Sequence, residues 1–100
     1  MGPEVTTTKV IYKYPLALRR NAVIRMPSGA KILTVQIQHD TPSVWALVDE
    51  YAPFEDREFL IVGTGQPFLV ADEPLSVYIG TFQMQDGDLV FHVFTTGATS

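Results

Sequence analysis

The sequence predicts an all-β domain, a small sandwich or barrel of six or seven short antiparallel strands. Three observations carry that expectation. Apolar and polar residues alternate with a period of two through much of the chain. Turn signals such as Pro27-Ser28-Gly29 and Asp86-Gly87 separate the alternating runs at near-regular spacing. No convincing long helix interrupts them. With 100 residues and no cysteine, the chain has room for one domain, held by apolar packing rather than by disulfides or thiolate-bound metal. Its 46% hydrophobic and 18% charged content excludes disorder as a description of the whole.

Val10, Tyr12 and Tyr14 alternate with Lys9, Ile11 and Lys13 until Pro15, which lacks an amide donor, ends or edges the strand. Leu16 to Asn21 fits a turn or a short helical piece. Ala22 to Met26 is a short strand closed by Pro27-Ser28-Gly29. In Lys31 to Gln38 the pattern sets Leu33, Val35 and Ile37 on one face and Thr34, Gln36 and Gln38 on the other. The turn His39-Asp40-Thr41-Pro42 leads into Val44 to Val48, where Trp45 and Leu47 alternate with Val44, Ala46 and Val48; a hairpin is the economical reading.

Asp49 to Asp56 reads as a polar loop around Pro53. Phe59 to Val62 is an apolar run of the kind found in a strand buried on both faces, and Gly63-Thr64-Gly65 argues against its continuing as helix. Gln66 to Pro74, with two prolines and the acidic pair Asp72-Glu73, reads as a surface loop. Val77 to Met84 and Leu89 to Thr95 flank Gln85-Asp86-Gly87-Asp88 as a second hairpin. The expected organisation is a flexible arm over residues 1–8, one β domain over 9–96 and a disordered tail over 97–100. No apolar run reaches the length of a membrane helix and the first residues lack a signal-peptide layout, so a soluble, cytoplasmic protein is expected.

Six ordered blocks carry a resemblance: Ile11-Tyr12-Lys13-Tyr14-Pro15-Leu16, residues 26–33, Val44-Trp45-Ala46-Leu47-Val48-Asp49, Gly63-Thr64-Gly65-Gln66-Pro67, Tyr78-Ile79-Gly80-Thr81-Phe82-Gln83 and Leu89-Val90-Phe91-His92-Val93-Phe94. Together, across most of residues 9–95, they resemble a family of short uncharacterised proteins of bacteriophages and prophages. The resemblance implies a small phage accessory protein and carries over no functional residue. Many such sequences have His where this one has Gln66, which weakens any metal or acid–base role in that neighbourhood.

Charge is divided unevenly. Residues 1–31 hold six of the seven cations and one acid, while residues 32–100 hold Arg57 alone against ten acids, so segments of +5 and −9 make up the net −4. The two are expected to neutralise each other across neighbouring strands rather than to bind nucleic acid, since no dense basic cluster forms. Only Tyr12-Lys13-Tyr14, near Lys9 and Arg25, approaches the interleaving of a single-strand platform.

Catalytic and metal patterns are absent from the sequence. His39 and His92 stand in no ligand spacing, so no metal or cofactor is expected; His92 fits a strand face with a hydrogen-bonded ring and His39 a turn. The serines lack a nucleophile elbow. Gly63-Thr64-Gly65 lacks the helix and lysine of a phosphate loop and reads as glycines permitting positive φ at a strand end.

The expectation is therefore a non-enzymatic protein that binds a host or phage protein, with inhibition of a host defence or regulatory protein as the analogy. Its expected contact residues are Trp45, Asp49, Glu50, Tyr51, Phe54, Glu55 and Asp56, an acidic loop with aromatics suited to a basic partner. The alternative is an oligomeric sponge for a nucleotide-like small molecule, lined by Arg25, Thr34, Gln36, Gln38, Gly63, Thr64 and Gly65. The apolar composition of so short a chain also predicts a homo-oligomer.

Overall fold

The computed structural model describes residues 8–97. Seven strands follow in order: β1 (Val10–Pro15), β2 (Asn21–Pro27), β3 (Lys31–Gln38), β4 (Thr41–Val48), β5 (Phe54–Gly63), β6 (Val77–Met84) and β7 (Leu89–Thr95), with a single 3-10 turn at Val70–Asp72. They form a three-stranded sheet in the order β1-β4-β3 and a four-stranded sheet in the order β2-β5-β7-β6, and every pairing is antiparallel. The inner faces meet in one core, where Val35, Val44, Ala46 and Val48 of the first sheet pack with Met26, Phe59, Ile61, Phe82 and Val93 of the second. The expected all-β domain forms, as a sandwich rather than a barrel.

The predicted arm falls almost wholly on residues 1–7, and the predicted tail on 98–100; both lie outside the described residues. Between them, the ends of β3, β6 and β7 fall where the turn residues set them. The His39-Asp40 turn is tighter than expected: both residues have positive φ (51° and 64°) and β4 begins at Thr41. Along one seam β3 and β6 approach closely. Gly80 lies there, and a Cβ at that position would sit 3.0 Å from Cγ1 of Val35, so any side chain would press that methyl aside by a few tenths of an ångström.

Three expectations are corrected. Leu33 does not share a face with Val35 and Ile37, because a bulge shifts the β3–β4 register between Ile32 and Thr34. Ile32 joins the core with Val35 and Ile37, and Leu33 is exposed. The loop read over Asp49 to Asp56 ends at Pro53, because Phe54, Glu55 and Asp56 pair with Pro27, Met26 and Arg25 as the start of β5. Gln66 to Pro74 runs over the surface as expected, but of its acidic pair only Glu73 is exposed, because Asp72 is buried.

Asp72 anchors the long β5–β6 connection. Its Oδ2 accepts from Nη2 of Arg20 at 2.6 Å and from the amide of Leu69 at 3.0 Å, and the same Nη2 donates to the Pro67 carbonyl at 2.9 Å. The connection is thereby tied to the β1–β2 crossing and covers a second, smaller core of Leu60, Val62 and Leu75 with Phe94 against it. Phe68 stands edge-on to Phe94 at 5.3 Å.

The Leu69 amide, joined by Arg20, holds the Asp72 carboxyl below its ordinary range, although burial opposes them. A depressed folded pKa contributes stability above the unfolded value, near 4, and that contribution is lost as pH falls through the folded one. Wild type is therefore expected to lose more melting temperature than Asp72→Asn between about pH 4 and pH 2. Parallel thermal melts check this, and equal slopes for the two proteins would count against it.

Candidate functional site

The two sheets are finished differently on their outer faces. The four-stranded sheet is covered over β5 and β7 by the chain's own residues 66–75, as described above. No element packs over the outer face of the three-stranded sheet among the described residues. With Val44, Ala46 and Val48 turned inward and fully buried, pleating turns Trp45 and Leu47 of the central strand outward. Register places Lys13 and Thr34 on either side of Trp45, and Ile11 and Lys31 on either side of Leu47. Ile11 is 58% exposed and the bulged Leu33 40%.

The result is an apolar strip of Trp45, Leu47, Ile11 and Leu33 flanked by two lysines. Lys13 donates from Nζ to Oε1 of Gln38 across the strip's far end, which leaves the indole at its centre. Leu33 belongs to this strip only because of the bulge, so its place there could not be read from alternation.

The other predicted contact residues divide around this face. Asp49 and Glu50 are half-buried in the β4–β5 loop: Asp49 accepts the Tyr51 amide at 3.0 Å and Glu50 accepts the Tyr12 hydroxyl at 2.6 Å. That carboxylate raises the Tyr12 phenol above its ordinary pKa, first through the hydrogen bond and then through its charge. Tyr51 is 85% exposed next to this pair. Phe54 and Asp56 lie on the outer face of the four-stranded sheet, where Asp56 meets Arg25 at 3.3 Å; Glu55 turns inward and accepts the Gly29 amide at 3.3 Å. Phe54, Glu55 and Asp56 are thus separated from Trp45, and Tyr51 stands beside Glu50, which bonds Tyr12 rather than any residue of the Trp45 face.

The residues of the small-molecule alternative do not converge. Thr34, Gln36 and Gln38 lie on the outer face of the three-stranded sheet, and Arg25 on the outer face of the other. Gly63, Thr64 and Gly65 form a turn at the end of β5, where Gly65 has φ 89° and the Gly63 amide bonds Oε1 of Gln66 at 2.8 Å. Tyr12 and Tyr14 face opposite to Lys13, which breaks up the stripe expected of a single-strand platform.

His92 lies on β7 with both ring nitrogens engaged, Nε2 at 2.7 Å from the Thr64 hydroxyl and Nδ1 at 2.9 Å from that of Thr81, which meets the Tyr78 hydroxyl at 2.5 Å. The imidazole bridges the two hydroxyls, so the four side chains form a continuous polar chain tying the 63–66 turn to β6. His39 is on the opposite sheet, at the β3–β4 turn.

Arg57 is the feature that pattern reading missed. It sits on the inner face of β5, two residues before Phe59, and is only 7% exposed. Nε donates to the Thr95 hydroxyl at 3.2 Å, Nη1 to the Ala30 carbonyl at 2.8 Å and Nη2 to the Thr96 carbonyl at 3.2 Å. Burial lowers its pKa, against the attraction of Glu55. The ion pairs among the described residues are Arg20–Asp72 and Arg25–Asp56, and Arg57 is in neither.

Fold and surface together define a seven-stranded, two-sheet β domain with one outer face covered over β5 and β7 by its own loop and the other uncovered among the described residues. No helix of the described residues is long and apolar enough to cross a membrane. A family model described as a domain of unknown function (DUF7352) matches residues 7–99, and the chain belongs to that family. No curated protein and no solved structure matches it.

Proposed function

We propose that this is a non-enzymatic binding protein that docks a protein segment on the outer face of its three-stranded sheet, with Trp45 as anchor. One contrast carries the reading. The chain uses a clamped loop to cover one outer face and leaves the other with a tryptophan, three large aliphatic residues and no cover among the described residues. A half-buried tryptophan at the centre of an apolar patch is the type of residue that dominates interface energies. Lys13 and Lys31 beside it favour a partner segment that brings an apolar side chain flanked by carboxylates. The resemblance to short phage and prophage proteins supports a setting in which the partner is a host or phage protein whose surface is occupied rather than chemically changed.

The test places a photo-crosslinking residue at Gln36, on the proposed face, or at Glu58, on the outer face of the four-stranded sheet. The chain is expected to capture a discrete partner from phage-infected cells through position 36 and not through position 58. Trp45→Ala is expected to weaken affinity for that partner by roughly 30-fold, about 2 kcal/mol, while circular dichroism stays unchanged. Equal capture from both faces, or capture untouched by Trp45→Ala, would overturn the assignment.

A further inference from the structure

Buried charges in proteins are paired, because an isolated ion loses its hydration without return. Arg57 departs from that rule within the described residues. Its three hydrogen bonds go to a hydroxyl and two carbonyls, none of them anionic, and use three of the five N–H groups of a guanidinium. The nearest acid along its own strand face, Glu55, spends its carboxylate on the Gly29 amide. A desolvated guanidinium with open donors and no carboxylate in ion-pair range among the described residues is a site wanting an anion.

Space for one lies next to it. Arg57 and Thr95 form part of the wall of a cavity of about 370 Å³, whose other walls include Ile32, Val77 and Ile79, with Lys31 beside them. That volume falls within the range of small-molecule sites, about 300–1,000 Å³. The cavity opens at the end of the sandwich, between the β2–β3 turn and the end of β7, away from the Trp45 face.

We propose that this cavity binds a small monocarboxylate with an apolar tail, its carboxylate on Arg57 and its tail against Ile32, Val77 and Ile79. A bare inorganic anion would leave the aliphatic walls unused, and an uncharged apolar molecule would leave the open N–H groups of the guanidinium without an acceptor. The two features together select a molecule that has both ends. The apolar walls and Arg57 are separate from the Trp45 strip, and Lys31, between the two, is the one residue they share.

The full chain is titrated calorimetrically with octanoate, octanamide and acetate. Octanoate is expected to bind saturably at about one molecule per chain, with octanamide and acetate each at least tenfold weaker. Val77→Trp fills the cavity from a position already 43% exposed and is expected to abolish octanoate binding with an unchanged circular-dichroism spectrum. Absence of octanoate binding, equal affinity for the amide, or acetate binding as tightly as octanoate overturns the proposal. So does undiminished binding by a folded Val77→Trp chain. The comparison of the three ligands on wild type stands by itself if that variant does not fold.

Discussion

Phe59→Ala is expected to remove about 3–5 kcal/mol of stability, enough to leave a domain of this size barely folded or unfolded. Phe59 is fully buried on the second strand of the four-stranded sheet, between Ala22 of β2 and Thr95 of β7. Both flanking side chains are small and both strands are hydrogen-bonded to β5, so neither can close over the space a lost ring leaves. Opposite it stand the buried valines and alanine of β4, already at full packing. In a urea titration the midpoint should fall by roughly 2 M, given a slope of about 1–3 kcal/mol per molar. Phe54→Ala, five residues earlier on the same strand but on an outward face and 54% exposed, is the control, with a change of about 0.5 kcal/mol or less. Similar losses for the two would show that the core is not where the packing places it.

The ends of β3, β6 and β7 were legible because their turn residues carry a local mechanism: glycine in Asp86-Gly87 and Pro27-Ser28-Gly29 admits the positive φ the chain needs there. The beginning of β5 was not. Phe54-Glu55-Asp56 looks like loop by composition, and is strand because it pairs with Pro27, Met26 and Arg25 of β2, with Asp56 beside Arg25 and Glu55 on the amide of Gly29. Those partners are 31 and 26 residues away, and no local propensity contains them. The bulge at Leu33 is a harder case. Leu33, Val35 and Ile37 alternate without a fault, so the pattern favours a regular strand; only the need to seat Ile32 opposite Ala46 in the core reveals the extra residue.

The candidate surface was half legible for the same reason. Alternation through β4 separates Trp45 and Leu47 from Val44, Ala46 and Val48, yet cannot say which of the two faces is covered. That depends on what the 66–76 segment does, which rests on Arg20 reaching Asp72, 52 residues along the chain. The sequence showed Arg57 as the lone cation among ten acids, an arrangement that suggests a solvent-exposed neutralising charge. Its burial follows instead from strand parity: on β5, position 57 shares the inward face with Phe59 and Ile61.

Arg57→Met tests what that buried cation does for the fold. Methionine fills much of the same volume without any donor, so the Ala30 carbonyl, the Thr96 carbonyl and the Thr95 hydroxyl all lose a partner. The Thr95 hydroxyl keeps its own bond to the Glu58 carbonyl at 2.7 Å and suffers least. Ala30 is 1% exposed, so its carbonyl has no ready access to water as a substitute. At about 1–3 kcal/mol for each buried acceptor left bare, less the return from no longer burying a charge, a net loss of about 3 kcal/mol is expected. Arg57→Lys should recover only part of it. An ammonium on a flexible stem keeps the charge, but it cannot span acceptors on the β2–β3 turn and the end of β7 as a planar fork does. Equilibrium unfolding of the three proteins orders them wild type, lysine, methionine if the guanidinium joins those segments through directed hydrogen bonds. If methionine matches or exceeds wild type, desolvation outweighs the bonds, and the residue is retained for something other than stability, such as an anion in the adjoining cavity.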